Sequence, residues 1–521
     1  MHERGIMDVS NMRTAAGILI ALAIALGAVT LFHRNSAPSR SETALVVYCA
    51  AALKKPVEAV AEQYRVECGV EVRLQYGNSG SMLSALRVAK QGDLFISADD
   101  GSLADARKFD SIRETIPLVS QRPVIAVRAG NPKSVRSLAD LQRADVRVAL
   151  ADPQAAAISR TARAALGPGW KAIAEHAVVT KPTVTEIAAD LSLGAVDAAI
   201  LWDSTVPQFK GLEAVEVPEL SSHAENASAA VLAACTQPAA ALRFARYLSA
   251  PDKGGTVFQN QGFKPSGGDR WEQKPELILY SGGVNRVAIE KLLRQFADRE
   301  GITITTVFNG CGILCATMKT MADASNPKFP DAYYACDLCF VPPVAEQFPE
   351  AFILTETDIG IAVKKENPRK VRTLADLAQP GLRVGLCNAE QATLGYMTRG
   401  ILKSSGLLDS IRANVVVEVP TADFLINQMR AGGLDAAIVY RVNALLQSEH
   451  LEFIPIQHAG AKAVQPFAVR HDSPNRHLAS RLLDYLKANR GEFVQAGFLW
   501  RGDESPVKSK DIKVPEWLKE K

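Results

Sequence analysis

Four cysteines in the second half of the chain are spaced as pairs that could do thiol chemistry. Cys311 and Cys315 lie four residues apart where a helix is predicted to begin, and Cys336 and Cys339 form a C-x-x-C pair after the next predicted strand. Two such pairs beside one cleft could hold zinc, copper or an iron–sulfur cluster. In an exported protein, paired cysteines are also typical of disulfides or of a redox pair. The third interpretation is that small buried thiols fill tight sites.

A second group of candidates consists of small residues in loops that join a strand to a helix. These loops are at 50–52 and 78–81, with counterparts at 282–284 and 310–313. In open α/β sheets, ligands bind at the carboxyl ends of strands, and small side chains let backbone N–H groups approach them. The partial positive charge of a helix N-terminus favours an anion. The loops therefore predict a small-anion pocket, with simple capping and packing of the turns as the alternative.

The elements that must position these loops occur twice. The segment VVYCAAA at 46–52 is matched by ILYSGGV at 278–284. The same order continues with YGNSG at 76–80 and FNGCG at 308–312, DLFISAD at 93–99 and DAYYACD at 331–337, RSLADL at 136–141 and RTLADL at 372–377, and VDAAILW at 196–202 and LDAAIVY at 434–440. The offset stays between 232 and 238 residues, which is the size of a domain and too long for a solenoid unit. The chain is therefore a tandem duplication of one globular domain.

Each copy alternates short apolar runs with helical patterns, which is typical of α/β units. The first copy predicts strands at 44–48 and 70–75 and helices at 53–68 and 81–90. The expected organisation is an N-terminal segment and linker at 1–43, a first domain at 44–265, a linker at 266–275, a second domain at 276–503 and a charged tail at 504–521.

Composition excludes several classes of protein. Apolar residues make up 47% of the chain, which is enough for buried cores, and the net charge of +3 with mixed signs argues against nucleic-acid binding. The run at 15–32 contains no charged residue and is long enough for a signal-peptide core or a short membrane anchor. No convincing cleavage site follows it, which favours an uncleaved anchor over a cleaved signal. In either case the rest of the protein is expected outside the cytoplasm.

Each copy resembles the periplasmic molybdate-binding proteins of ABC importers. The residues that carry the resemblance are VYCAAAL at 47–53, DLFISAD at 93–99, RVALADP at 147–153 and DAAILW at 197–202. It covers residues 43–265 and, more loosely, 275–502. The resemblance implies an α/β fold of tandem type II periplasmic-binding domains, each with two lobes built on a mixed, mostly parallel sheet flanked by helices. The lobes would close on a small tetrahedral oxyanion held by neutral donors.

The ligand positions of that family can be placed on both copies. In the first copy they are Ala52, Ser79, Ile158, Val184 and Trp202, and in the second copy they are Val284, Cys311, Leu394, Ala422 and Tyr440. The family has serines at the first two positions and a tyrosine at the last, so only Ser79 and Tyr440 keep a hydroxyl. Backbone donors survive such changes, and an indole N–H can replace a phenol as donor. An oxyanion site is therefore expected in the first copy, and Val284 and Cys311 weaken the expectation for the second.

The resemblance implies an extracytoplasmic solute-binding protein that delivers molybdate, or a related oxyanion such as tungstate or sulfate, to the permease subunits of an ABC importer. No cofactor besides the transported ligand is expected, and no catalytic motif stands out that would indicate an enzyme. Two alternatives remain open. One is a binding module for another ligand or for a thiophilic metal at Cys311, Cys315, Cys336 and Cys339. The other is a regulatory, partner-docking protein in which one site is degenerate.

Overall fold

The computed structural model describes residues 44–89, 91–154, 156–321 and 326–514. The proposed anchor at 15–32 lies outside these ranges. Within them, no helix combines the length and the apolar character that crossing a membrane requires.

The first half contains strands β1 to β11 and helices α1 to α9. The strands are β1 (Leu45–Ala50), β2 (Val72–Gly77), β3 (Leu94–Ser97), β4 (Ile112–Gln121), β5 (Pro123–Arg128), β6 (Val148–Ala151), β7 (Val179–Lys181), β8 (Ala198–Trp202), β9 (Leu212–Val215), β10 (Glu225–Leu232) and β11 (Lys264–Pro265). The helices are α1 (Lys54–Cys68), α2 (Ser79–Ala89), α3 (Asp100–Lys108), α4 (Ala157–Leu166), α5 (Gly169–His176), α6 (Val184–Ser192), α7 (Pro218–Ser221), α8 (Pro238–Ser249) and α9 (Gly254–Asn260).

The second half contains strands β12 to β22 and helices α10 to α17. The strands are β12 (Glu276–Gly282), β13 (Thr303–Asn309), β14 (Ala332–Tyr334), β15 (Glu350–Lys364), β16 (Val384–Cys387), β17 (Val415–Val419), β18 (Ala436–Tyr440), β19 (Leu451–Pro455), β20 (Lys462–Val469), β21 (Leu499–Trp500) and β22 (Val507–Lys508). The helices are α10 (Arg286–Glu300), α11 (Cys311–Met321), α12 (Thr393–Ser404), α13 (Leu408–Arg412), α14 (Ala422–Arg430), α15 (Arg441–Leu445), α16 (Arg476–Ala488) and α17 (Arg490–Gln495).

The first half forms two lobes, each with its own sheet. The strand orders are β11-β4-β10-β3-β1-β2 in the first lobe and β7-β6-β8-β5-β9 in the second. Strand β1 pairs in parallel with β2 and β3, and β6 pairs in parallel with β7 and β8, whereas the pairings of β4, β5 and β10 are antiparallel. The sheets are mixed as expected. Their antiparallel share is larger than the sequence indicated, because β4 and β5 carry the chain from one lobe to the other.

In the second half one long strand connects the two lobes. Strand β15 pairs with β20 in the first lobe through residues 352–358 and with β18 in the second lobe through residues 359–363. The corresponding strand of the first half is divided into β4 and β5 at Arg122, immediately before Pro123. Proline has no N–H to donate to a ladder and is tolerated at the first position of a strand. The two halves therefore share a fold but cross between their lobes differently.

The duplicated helices that follow β1 and β12 end in the same way. Helix α1 stops at Gly69 and helix α10 stops at Gly301, and both glycines have a left-handed backbone, with φ of 73° and 66°. Residues with a Cβ rarely adopt that conformation, so glycine ends a helix there at little cost. The predicted helix at 53–68 is observed at Lys54–Cys68, and the predicted helix at 81–90 begins two residues earlier, at Ser79.

The halves are joined by a buried ion triad. Helix α8 packs against α10, and Nη1 of Arg246 donates to Oε2 of Glu300 at 2.9 Å. Nε of Arg481 on α16 donates to Oε1 of the same carboxylate at 2.8 Å. Glu300 is only 1% exposed. Beside the triad, Nη2 of Arg299 donates to Oε2 of Glu114 at 2.8 Å. Charged groups from both halves therefore fix one half against the other.

The predicted linker and part of the predicted tail are packed. In the linker, the ring of Trp271 lies 4.9 Å from that of Tyr247, and Asp269 accepts hydrogen bonds from the N–H groups of His477 and Leu478, each at 2.9 Å. Strand β22, from the predicted tail, pairs with residues 350–351 of β15. Residues 504–514 therefore belong to the second domain, and residues 515–521 lie outside the described ranges.

Candidate functional site

The second half has a small, partly open cavity between its lobes. The cavity has a volume of about 20 Å³, which is the space of about one water molecule. It is lined by residues from both lobes: Gly283, Val284, Asn309, Gly310, Cys336, Cys387, Ala392, Thr393, Leu394, Pro420, Thr421, Ala422, Asp423, Tyr440 and Asn443. The lobes are therefore closed on each other, without room between them for a tetrahedral oxyanion.

The structure brings four of the five site residues predicted for the second copy into this cavity. Val284, Leu394, Ala422 and Tyr440 all line it, and Cys311 contacts one of the lining residues, Cys336. Val284 lies in the turn Gly283–Asn285, which leads into α10. Ala422 is the first residue of α14, and Leu394 is the second residue of α12. Their N–H groups belong to the first turns of helices, where backbone donors have no intrahelical partner.

Several polar groups lie in the cavity wall, and among them Asn443, Asp423 and Thr393 were not identified from the sequence. The hydroxyl of Tyr440 and Oδ1 of Asn443 are buried without a hydrogen-bond partner. Nδ2 of Asn443 donates to Oδ1 of Asp423 at 3.1 Å. The Thr393 hydroxyl approaches the thiols of the cavity without completing a hydrogen bond. The sequence offered one signal for Asn443, the third residue after Tyr440, because its counterpart in the first half, Thr205, is polar as well.

The lining of the cavity in the second half contains no lysine or arginine. Its one ionisable carboxyl belongs to Asp423, and burial raises the pKa of that carboxyl although the charge of Arg286 opposes the shift. The counterpart of Asp423 in the first half is Thr185. Neutral donors therefore dominate the cavity, as the resemblance implies, but a carboxylate in the wall disfavours an anion.

In the first half, the predicted residues occupy equivalent places. Ala52, Ile158, Val184 and Trp202 belong to one buried cluster in which the turn Ala51–Leu53 packs against α6, and α4 packs against β8. Ser79 is the first residue of α2 and is 2% exposed. Three of the backbone donors expected at this cleft thus lie in the first turn of a helix, as in the second half.

At the predicted cleft of the first half, two buried hydroxyls have no hydrogen-bond partner among the residues that the structure describes. They are Oγ of Ser79 and Oγ1 of Thr205, in the segment that follows Trp202. A buried hydroxyl without a hydrogen bond costs about 1–3 kcal/mol, so such groups usually have a ligand or a water to bind. Trp202 itself is 1% exposed at the end of β8. Ser79 is one of the predicted ligand positions, and Thr205 lies three residues beyond another, Trp202.

The four cysteines predicted to bind a metal do not form one cluster. Sγ of Cys311 lies 3.1 Å from Sγ of Cys336, but Sγ of Cys315 lies against the hydroxyl of Tyr333 at 3.6 Å. Cys339 lines a different cavity. The physical reason is that Cys315 is one helical turn beyond Cys311, where its sulfur contacts the Tyr333 hydroxyl and the carbonyl oxygen of Phe340 rather than the sulfur of Cys336. Among the residues that the structure describes, no group of three or more His, Cys, Asp or Glu could hold a metal ion.

The lobes of the first half are connected by an ion pair. Nη2 of Arg160 on α4, in the second lobe, donates to Oδ2 of Asp99 in the first lobe at 2.8 Å, and Asp99 is 2% exposed. The positions equivalent to Asp99 and Arg160 in the second half are Asp337 and Tyr396. There Asp337 accepts backbone hydrogen bonds instead, and the ring of Tyr396 lies edge-on to that of Phe340 at 5.9 Å. An ion pair therefore joins the lobes of the first half at the place where two aromatic rings meet in the second half.

We expect Arg160→Leu to open the first half, because it leaves the buried carboxylate of Asp99 without its cation. Amide hydrogen exchange around residues 99–103 and 157–161 should accelerate by about tenfold or more, since a charge-assisted hydrogen bond contributes about 1.5–3 kcal/mol. Arg163→Leu is the matched control, because Arg163 lies on the exposed face of the same helix. Equal exchange rates in the two variants would show that the ion pair does not hold the lobes.

Comparisons with known proteins agree with the duplication. The model of a family described as bacterial extracellular solute-binding protein matches residues 45–264 and again residues 277–499. The molybdate-binding protein ModA of Mycobacterium tuberculosis is 26% identical over 251 residues, which are 48% of this chain and 95% of that protein. Each such relative spans about half of this chain.

Two solved structures are also similar to one half of the chain. The periplasmic molybdate-binding protein of Azotobacter vinelandii is 16% identical, with a TM-score of 0.37, and the match covers 42% of this chain and 98% of that one. The sulfate-binding protein SubI of Mycobacterium tuberculosis is 18% identical, with a TM-score of 0.38, and the match covers 51% and 94% of the two chains.

Proposed function

The chain belongs to the family of bacterial extracellular solute-binding proteins in both of its halves, and from this we propose that it captures a small solute for the permease subunits of an ABC-type importer. Each half would close by a hinge motion, and the closed form would be the one that docks on the permease. The protein would act outside the cytoplasm, tethered by residues 15–32 or released after signal cleavage. It would perform no covalent chemistry on the solute.

For the first half we propose a tetrahedral oxyanion as the ligand, namely molybdate, tungstate or sulfate. The observation that carries the proposal is the unpartnered hydroxyl of Ser79, buried at the start of α2. The helix beginnings at Ile158 and Val184 and the turn at Ala52 supply backbone N–H donors, and helix N-termini favour negative charge. Neutral donors can hold a desolvated anion if most of its oxygens receive hydrogen bonds.

Titration of the full chain with molybdate, tungstate, sulfate and phosphate tests this proposal. Trp202 is buried at the end of β8, so we expect its fluorescence to change on binding, together with a rise in melting temperature. A Trp202→Phe variant identifies which part of the signal comes from that residue. If none of the four anions changes either the fluorescence or the melting temperature, the oxyanion proposal is wrong.

We expect Ser79→Ala to weaken oxyanion binding by about 10-fold to 100-fold. The reason is that a hydrogen bond to a charged group contributes about 1.5–3 kcal/mol. Ser84→Ala is the control, because Ser84 is exposed on the same helix and its hydroxyl donates to the backbone oxygen of Gly80. Calorimetric titration of both variants measures the difference, and unchanged affinity in the Ser79 variant would move the site elsewhere.

For the second half one observation favours a different role. Its lobes are closed around a cavity of about 20 Å³ with Asp423 in the wall. So small a space with a carboxylate in its wall disfavours an anion, so we propose that the second half is a degenerate site with a docking or regulatory role. An oxyanion stoichiometry of one per chain in the same titration supports this, and a stoichiometry of two contradicts it.

A further inference from the structure

The sulfurs of Cys311 and Cys336 lie 3.1 Å apart in the wall of the second cleft, although 25 residues separate them in the chain. The backbone N–H of Cys336 also donates to Sγ of Cys311 at 3.1 Å. Cys311 begins α11, and Cys336 follows β14, so two neighbouring loops of one lobe bring the thiols together. A modest approach of the two sulfurs would give the bond length of a disulfide.

The duplication shows that this pair is accommodated by its surroundings. The counterparts of Cys311 and Cys336 in the first half are Ser79 and Ala98, and the counterpart of Gly282 is Ala50. A Cβ placed on Gly282 would overlap Sγ of Cys336 and lie 3.2 Å from Sγ of Cys311. The three differences between the halves are therefore linked. The second half has glycine at 282, where a larger residue would overlap the sulfur of Cys336 and crowd that of Cys311.

The thiol of Cys311 also loses its proton more readily than an ordinary cysteine. Burial by itself raises its pKa, but hydrogen bonds from the Cys336 thiol, from Tyr333 and from the Cys336 N–H outweigh burial and lower the pKa to about 7. The start of a helix adds partial positive charge that favours a thiolate. By contrast, burial and the nearby Cys311 raise the pKa of Cys315 to about 12, so that neighbour is unreactive.

We propose that Cys311 and Cys336 form a reversible disulfide, by exchange with the disulfide of a small thiol or of another protein. The thiolate of Cys311 attacks one sulfur of R–S–S–R, which forms a mixed disulfide and releases the first thiolate, R–S⁻. Cys336 transfers its proton to that thiolate and attacks Sγ of Cys311, which expels the second R–S⁻. The chain loses two electrons and the disulfide R–S–S–R gains them.

Access to the pair depends on the position of the lobes. Cys311 is 0% exposed and Cys336 is 4% exposed in the closed form. Gly310 and Gly312 flank Cys311 and lie so close to the opposite lobe that a Cβ on either would overlap the carbonyl oxygen of Gln391 or Glu390. Exchange therefore occurs when the lobes separate, and closure protects whichever redox state is present. An oxidising compartment outside the cytoplasm supplies disulfides of the required class.

Oxidation would alter what the second cleft accepts. In the reduced state the Cys311 thiolate adds negative charge to a wall that already holds Asp423, and this repels an anion. In the disulfide that charge is absent. The reduced chain therefore disfavours an anion at the second cleft more strongly than the oxidised chain does, which is consistent with the degenerate site proposed for the second half.

The test is equilibration of the purified full chain with oxidised and reduced glutathione, followed by alkylation and peptide mapping by mass spectrometry. We expect a peptide pair linked through Cys311 and Cys336 in oxidising mixtures, its reversal in reducing mixtures and its loss in Cys336→Ala. Cys315→Ala should keep the link and serves as the control. Because the wild-type chain gives the main result, a variant that misfolds does not affect it.

Two outcomes would overturn the proposal. One is that both thiols stay alkylatable after equilibration in excess oxidised glutathione with the lobes transiently opened in mild urea. The other is that the link forms between different cysteines. Titration of the oxidised and reduced chains with sulfate and molybdate separates the two proposals. A Cys311–Cys336 link without anion binding at the second cleft supports the redox site, whereas anion binding without the link supports only the binding function.

Discussion

Replacing Glu300 by alanine should lower the free energy of unfolding by about 3–5 kcal/mol, which is the usual effect of removing one partner from a buried ion pair. Its carboxylate is the only acid in the triad and accepts hydrogen bonds from Arg246 and Arg481. Without it two guanidinium groups remain buried at the junction of the halves, and the remaining acids that act on Arg481, Asp269 and Glu114, have smaller effects than Glu300. Urea denaturation at neutral pH measures the change, and faster proteolysis in the linker at 266–275 would show that the halves also separate.

Two further variants separate charge from packing in this result. Glu300→Gln keeps the side-chain volume and part of the hydrogen bonding. If the negative charge of Glu300 is what stabilises the junction, this variant should show most of the decrease in the free energy of unfolding that Glu300→Ala shows. Glu492→Ala removes a carboxylate from an exposed ion pair with Lys291, whose side chain is 61% exposed, and should change stability by less than about 1 kcal/mol. Equal effects of the Glu300 and Glu492 substitutions would contradict a structural role for the triad.

The effect of Glu300 should also depend on pH. Burial alone raises the pKa of its carboxyl, but Arg481 and Arg246 together outweigh burial and hold the pKa below its usual range. A carboxyl whose pKa is lower in the folded state contributes stability that is fully present above the unfolded pKa of about 4.3 and is lost as pH falls through the folded value. The difference between wild type and Glu300→Ala should therefore be largest near neutral pH and shrink in acid.

The second large effect is expected from Gly312→Ala, which should prevent full closure of the second half. A Cβ at this position would overlap the carbonyl oxygen of Glu390 and lie 2.9 Å from that of Gln391, and both atoms are backbone of the opposite lobe. Overpacking of this kind costs about 1–3 kcal/mol, which corresponds to a shift of about 5-fold to 150-fold from closed towards open.

Hydrogen exchange reports this opening directly. The N–H of Ile313 donates across the cleft to the carbonyl oxygen of Gln391 at 3.3 Å, so its exchange should accelerate by the same factor. Gly491→Ala is the control, because a Cβ there meets no atom within 4 Å. An unchanged exchange rate in the Gly312 variant would mean that the lobes of the second half are not held by this contact.

The duplication, the α/β class and the places where helices begin could be predicted from the sequence. These features are local or repeated: a glycine such as Gly69 ends a helix wherever a left-handed residue is needed, and a strand followed by small residues predicts a helix N-terminus. The loop pattern also pointed to Val284, whereas Leu394 and Ala422 followed only from the resemblance to molybdate-binding proteins. In the structure all three line one cavity.

The sequence by itself therefore determined the duplication, the α/β class and the order of the helices and strands, because hydrophobic period and helix-ending residues act over a few positions. The two-lobed fold and the candidate ligand positions came from the resemblance to a known family. Only the tertiary structure decided which side chains meet across long separations. It paired Cys311 with Cys336 rather than with Cys315, and it placed Glu300 between Arg246 and Arg481. Such contacts depend on how lobes and halves pack, and no spacing along the chain encodes that packing. For the same reason, the sequence did not predict that the lobes of the second half close to leave a cavity of only about 20 Å³.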